Sequence, residues 1–147
     1  MSVLAKFTER LNELISERNI NASTLARLLH VQPSTVSRYV KGTCLPTYAN
    51  FIKLLEGFRC SADFLLGLID FTPENVTYLP VPPFCERFRA LMREYGTSQY
   101  ALHKKTDFSY DNFNKWLKGI TCPYVDNLEK LAQAFDCSVD YLIGRVR

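Results

Sequence analysis

The residues best suited to recognising another molecule sit in one acid-free stretch. Between Asn21 and Pro46 the chain holds Arg27, Arg38 and Lys41 and no aspartate or glutamate. Val36 and Val40 are spaced to face inward on a short predicted helix. That leaves Gln32, Pro33, Ser34, Ser37 and Arg38 on or near its other side. Short polar groups and a guanidinium on one helix face suit hydrogen bonding to the edges of nucleic-acid bases. A guanidinium can hold a guanine through two bonds, and Pro33 offers only an apolar contact, such as to a thymine methyl. Arg27 and Lys41 flank the set as cations suited to phosphate. The plainer alternative for all three cations is ordinary solvated surface.

Other chemistries find no support. There is no glycine-rich phosphate loop and no serine–histidine–acid grouping, and the carboxylates are scattered over helix surfaces, so no enzyme is expected. His30 and His103 lie 73 residues apart without zinc-type spacing, so neither metal nor cofactor is expected. The five cysteines, at positions 44, 60, 85, 122 and 137, are odd in number and form no CxxC pair. They point to reduced thiols in a cytoplasmic protein, with Cys60 and Cys137 as small core residues. Nothing resembles a signal peptide or a membrane span.

The elements that must position the polar face are helical throughout. Leu4, Phe7, Leu11, Leu14 and Ile15 mark one amphipathic helix. Asn19–Asn21 breaks it, and short helices follow over 22–29 and 33–40, joined by a tight turn at 30–32. Pro33 suits a first helical turn, where its missing amide is not needed. Gly42 suits a C-cap. Thr47 can cap a fourth helix carrying Phe51, Ile52, Leu54, Leu55 and Phe58, and Ser61 can cap a fifth over 62–66.

The same plan recurs 77 residues later. From Phe7 to Asp70, 18 of 64 positions are identical to their counterparts, where chance would give about 4. Residues 1–70 form the first domain, 71–83 a linker stiffened by Pro73, Pro80, Pro82 and Pro83, and 84–147 the second domain. Helices are expected over 84–95, 99–105, 110–117, 125–135 and 139–143, and 77–79 is too short to assign as a strand. Each domain carries a net charge of +2 (8 basic and 6 acidic residues in 1–70, 10 and 8 in 84–147). That total is mild, so the local distribution matters more than the sum.

Two short helices separated by a three-residue turn, inside a five-helix unit, suggest a helix-turn-helix. Leu25-Ala26, Val31, Val36-Ser37-Arg38-Tyr39, Gly42, Pro46 and the ending CSADFLLG resemble the phage repressor and Cro family, called XRE-type. The second copy matches through Ser98-Gln99, Leu102, Ser109, Phe113, Lys115-Trp116, Lys118-Gly119, Pro123 and CSVDYLIG. The resemblance covers nearly the whole chain apart from the linker. It implies an all-α fold of two tandem five-helix lambda-repressor-like helix-turn-helix domains, binding double-stranded DNA as a transcriptional regulator. It also places Pro33, Ser34 and Arg38 in base-reading positions, with Gln32 at the helix entrance, and it places Gln99 on phosphate.

The second copy departs further from the pattern. Its base-reading candidates become Tyr110, Asp111, Asn114 and Lys115, with Lys118 at a phosphate position. Asp111 would repel phosphate unless it accepts a bond from a cytosine amine. His103 replaces the small Ala26, Thr106 replaces the core Leu29, and both His30 and Asp107 stand where the family has a turn glycine. Tyr39 and Trp116 share a column and are expected to be core residues, each partly buried, with a polar atom free to meet phosphate. The surplus apolar residues Phe64, Leu68, Ile69 and Phe71 suggest a contact surface, for a homodimer or an intramolecular pseudo-dimer. A thirteen-residue linker spans up to about 43 Å at about 3.3 Å per residue, enough for half-sites about 34 Å apart. The alternative is a protein-interaction module, such as an antitoxin or adaptor, whose second domain holds a partner.

Overall fold

The structure is a computed structural model that describes residues 2–147. Among these the chain forms ten α-helices and one 3₁₀ turn, with no strand. It divides into two compact units, Met1–Glu74 and Asn75–Arg147, each with its own core.

In the first unit the helices are α1 (Val3–Glu17), α2 (Ala22–Leu29), α3 (Pro33–Val40), α4 (Tyr48–Phe58) and α5 (Ala62–Leu65). Their starts are written in the sequence as side-chain caps. The side chains of Ser2, Asn21, Thr47 and Ser61 each accept a bond from an amide three residues on, satisfying a donor the helix itself leaves open. The core is the inward stripe of each helix: Phe7, Leu11, Leu25, Leu29, Val36, Phe51, Leu54, Leu55 and Leu65 are all buried. Each such side chain contributes roughly 1.5–3 kcal/mol by leaving water.

The second unit repeats the plan with α6 (Phe84–Glu94), α7 (Gln99–Thr106), α8 (Tyr110–Leu117), α9 (Leu128–Ala134) and α10 (Val139–Leu142). Its core is aromatic. Phe88 stacks on Phe113 at 6.0 Å and meets Trp116 and Phe135 edge-on at 5.6 and 6.3 Å. The larger rings offset the smaller Thr106, which is fully buried where the first unit has Leu29. The Thr106 hydroxyl donates to the Leu102 carbonyl at 2.7 Å and accepts from the Phe108 amide at 3.2 Å, so its polarity is satisfied.

The fourth helix of the second unit differs from the expected run over 125–135. It opens as a 3₁₀ turn, Val125–Asn127, and becomes α-helical only over Leu128–Ala134. The cause lies at position 124, where Tyr124 replaces the capping Thr47. Its start carries no side-chain cap bond, and the first turn tightens into 3₁₀ geometry to use its own carbonyls.

Several identities of the repeat hold the fold rather than a ligand. The Arg10 guanidinium lies 4.8 Å over the Phe64 ring and donates to the Ile69 carbonyl. Its counterpart Arg87 lies 4.7 Å over Tyr141 and donates to that residue's carbonyl. Gly67 and Gly144 have φ of +77° and +88°, and a Cβ there would fall 2.7 Å from Lys6 Cβ and 2.9 Å from Pro82 Cδ. Only glycine fits both the backbone and the space.

Much of the expected linker is docked. The Thr72 hydroxyl accepts from the Ser61 amide in the first unit. In the second, the Leu79 amide donates to the Arg145 carbonyl at 2.7 Å, and the Arg145 guanidinium lies 4.0 Å over the Tyr78 ring. Residues 73–77 remain between these attachments. Arg145 is 2% exposed and paired with the buried Asp140 at 2.8 Å.

Candidate nucleic-acid interface

The α2–α3 pair positions the polar face of the first unit. His30 ends α2 in left-handed geometry, φ 57°, and Asp107 ends α7 likewise at φ 62°. Histidine and aspartate adopt this backbone more readily than most side chains, so both turns close without glycine. Pro33 opens α3 in its first turn. The far end of α3 is held from α1, where Asn12 donates to the Val40 carbonyl at 3.1 Å. In the second unit Arg89, at the same repeat position, donates to the Leu117 carbonyl at 2.8 Å. Sequence reasoning missed both anchors, because each joins helices that are distant in the chain.

Within the first unit, Gln32, Pro33, Ser34 and Arg38 are exposed on α3 and at its entrance, and Ser37 is half-buried. Arg27 on α2 and Lys41 at the end of α3 are exposed too. Val36 is buried as expected, and Val40 is half-buried. Among the described residues, Arg38 has no acidic partner within ion-pair distance.

Equivalent positions in the second unit are occupied differently. Lys115, the counterpart of Arg38, is paired with Asp111 at 3.0 Å, one turn upstream on α8. Asn114, the counterpart of Ser37, accepts from Gln99 Nε2 at 3.3 Å. Tyr110 stacks on His103 at 4.7 Å, and His103 Nδ1 lies 2.7 Å from the Phe108 carbonyl. The ring that replaced Ala26 is therefore used to brace the turn and the start of α8. Lys118, the counterpart of Lys41, is exposed.

Beside α8 lies a shallow depression lined by Asn112, Lys115, Thr121, Cys122, Tyr124 and Asn127, among others. Burial pushes the Cys122 thiol above its usual range, and the nearby Cys85 adds to the rise.

Two expectations are corrected. Tyr39 and Trp116 are not partly buried; each is 3% exposed, and the Tyr39 hydroxyl is taken by Asn50 Nδ2 at 3.0 Å. Tyr39 thus serves the core, with its hydroxyl accepting from Asn50. Phe64 is buried under Arg10 and lines no free surface. Leu68 is half-buried, which leaves Ile69 and Phe71 as the exposed members of that group. Among the described residues no cluster of His, Cys, Asp and Glu has a metal-binding arrangement, and no helix is long and apolar enough to cross a membrane.

Comparison with known proteins agrees with the geometry. Residues 11–65 match the helix-turn-helix domain family, and residues 87–146 match the family described as the Cro/C1-type HTH DNA-binding domain. No curated protein matches the chain at a significant level. A solved structure described as a transcriptional regulator from Listeria innocua is 26% identical, covering 67% of this chain and 83% of that one. Its TM-score is 0.40, too low to bear on the arrangement of this chain. The two matched segments coincide with the two structural units, and the chain belongs to the phage repressor/Cro-type, XRE-like family of DNA-binding helix-turn-helix regulators, carrying that domain twice.

Proposed function

We propose that the chain is a transcriptional regulator that binds a specific double-stranded DNA site, with the first unit reading bases. The observation that carries this is the contrast on α3. Gln32, Pro33, Ser34 and Arg38 are exposed, and no acid occurs between Asn21 and Pro46. A guanidinium without an acidic partner enters a groove without first breaking an ion pair. Arg38 takes guanine, Ser34 and Ser37 take base edges, and Gln32 and Pro33 sit at the entrance. Arg27, Lys41 and Lys118 take phosphates. Gln99 joins them on turning away from Asn114. In the second unit Tyr110, Asp111, Asn114 and Lys115 occupy the corresponding groove face.

The tether raises the effective concentration of the second unit once the first is bound. A genuine duplex binder loses affinity linearly in log–log salt, with a slope of about −0.9 per phosphate neutralised. Titrating the full chain with random duplex across a salt series tests the reading, and affinity indifferent to salt would sink it. A second reading, that the chain also assembles with itself or another protein, rests on Phe71, 73% exposed beside the half-exposed Ile69. Sedimentation of the free chain and of Phe71→Ser checks it; an unchanged distribution rules out self-assembly through that patch.

A further inference from the structure

Four positions around the second helix-turn-helix carry large side chains where the first carries small ones. Ser23, Pro33, Thr43 and Thr47 become Tyr100, Tyr110, Ile120 and Tyr124, exposed by 59%, 42%, 65% and 78%. Tyr100 follows Gln99 at the start of α7, the helix that crosses the phosphate backbone in this architecture. Tyr124 lines the depression beside α8 together with Asn112 and Lys115. Lys104 lies 5.0 Å over the Tyr100 ring, one turn further along α7.

The repeat itself sorts these residues. Both units keep a cation at two flanking positions, Arg27 and Lys104 on the second helix and Lys41 and Lys118 after the third. The groove face is not kept, and its polar groups in the second unit are bonded to one another, Asp111 to Lys115 and Gln99 to Asn114. The partners that do this bonding, Gln99 and Asp111, stand where the first unit has Ala22 and Ser34.

We infer that the second unit grips the phosphate backbone and is nearly blind to sequence, with Tyr100 and Tyr124 donating hydroxyls to phosphates beside Lys104 and Lys118. The inference rests on the duplex-binding reading above. Tyrosine hydroxyls are ordinary phosphate donors, and neither ring is buried in the core. Asp111 keeps Lys115 from guanine and places a negative charge over the groove. The paired face therefore adds little discrimination, while its flanks add affinity to any sequence.

The test uses the full chain, measured by anisotropy on a selected site and on random duplex. Removing both hydroxyls with Tyr100→Phe and Tyr124→Phe should weaken both duplexes by the same factor, on the order of tenfold. Asp111→Ser, which restores the first unit's residue type, should tighten both and steepen the salt slope by about 0.9 as a negative charge that repels phosphate leaves the groove face. Circular dichroism of each variant confirms that these exposed substitutions leave the helices intact. The inference is overturned if the tyrosine pair leaves affinity unchanged, as it would if that face serves a protein partner. It is equally overturned if Asp111→Ser weakens the selected site alone, which would make Asp111 a base reader. Arg38→Ala in the same series separates the two proposals. Loss of sequence preference there with inert second-unit variants leaves the duplex reading standing and removes only this inference.

Discussion

One position of the repeat carries Arg38 in the first unit and Lys115 in the second. Both are cations on the third helix, facing away from the core, and they differ in what stands one turn upstream. Ser34 leaves Arg38 unpaired, whereas Asp111 holds Lys115 at 3.0 Å. The next position repeats the lesson, since Asn114 is engaged by Gln99, for which the first unit has only Ala22. Exposed pairs of this kind add little to stability, about 0–1 kcal/mol. Their consequence is instead on recognition, because each must be broken before its members reach a base. Duplication preserved the scaffold and the flanking cations, and the units diverged where bases would be read.

The comparison is broken most severely through the scaffold that only the second unit has. Arg145→Ala removes the buried ion pair with Asp140, 2.8 Å long, and should destabilise the second unit by about 3–5 kcal/mol. Denaturation followed by Trp116 fluorescence reports that unit alone, since the single tryptophan lies there. In the first unit the corresponding Leu68 makes no such ion pair with the equivalent buried Asp63. Thr106→Val removes the hydroxyl that accepts from the Phe108 amide, and should cost about 1–3 kcal/mol in the same assay. A second-unit midpoint that does not move would show that the hydroxyl's bonds are not used.

The recognition side is sharpened by exchanging residues between the units. Arg38→Ala should cost about 1–3 kcal/mol on the selected site and relax its sequence preference. Ser34→Asp installs the second unit's pattern in the first and should weaken specific binding several-fold, though an acid in the first helical turn stabilises a helix by about 0.3–1 kcal/mol. Affinity and stability should therefore move in opposite directions, an outcome that misfolding does not produce. The smallest effect is at the cap: Tyr124→Thr should restore the side-chain cap of the fourth helix and raise second-unit stability by about 0.5–1 kcal/mol. A lower midpoint would show that the Tyr124 ring, 78% exposed, still contributes packing that the cap does not replace.

How much of this the sequence discloses follows from the range of each interaction. Helix starts were legible because a cap and its amide lie three residues apart, as for Thr47 and Ser61. The inward stripes were legible for the same local reason. The Asp111–Lys115 pair has helical i,i+4 spacing and was open to reading, whereas Gln99–Asn114 bridges two helices and was not. Arg145 was illegible, since a cation two residues from the end reads as solvated until Tyr78 and Asp140 are seen around it. Tyr39 misled because a side chain with a polar atom gives no sign of which neighbour, Asn50 or a phosphate, will engage it.

The central claim is that the two units contribute unequally to reading DNA. In vitro selection of duplex sites by the full chain tests it directly, with Arg38→Ala and Asp111→Ser selected in parallel. The account predicts an asymmetric consensus, with information concentrated in the half that Arg38→Ala degrades and little in the other. A two-fold symmetric consensus with equal information in both halves would contradict it.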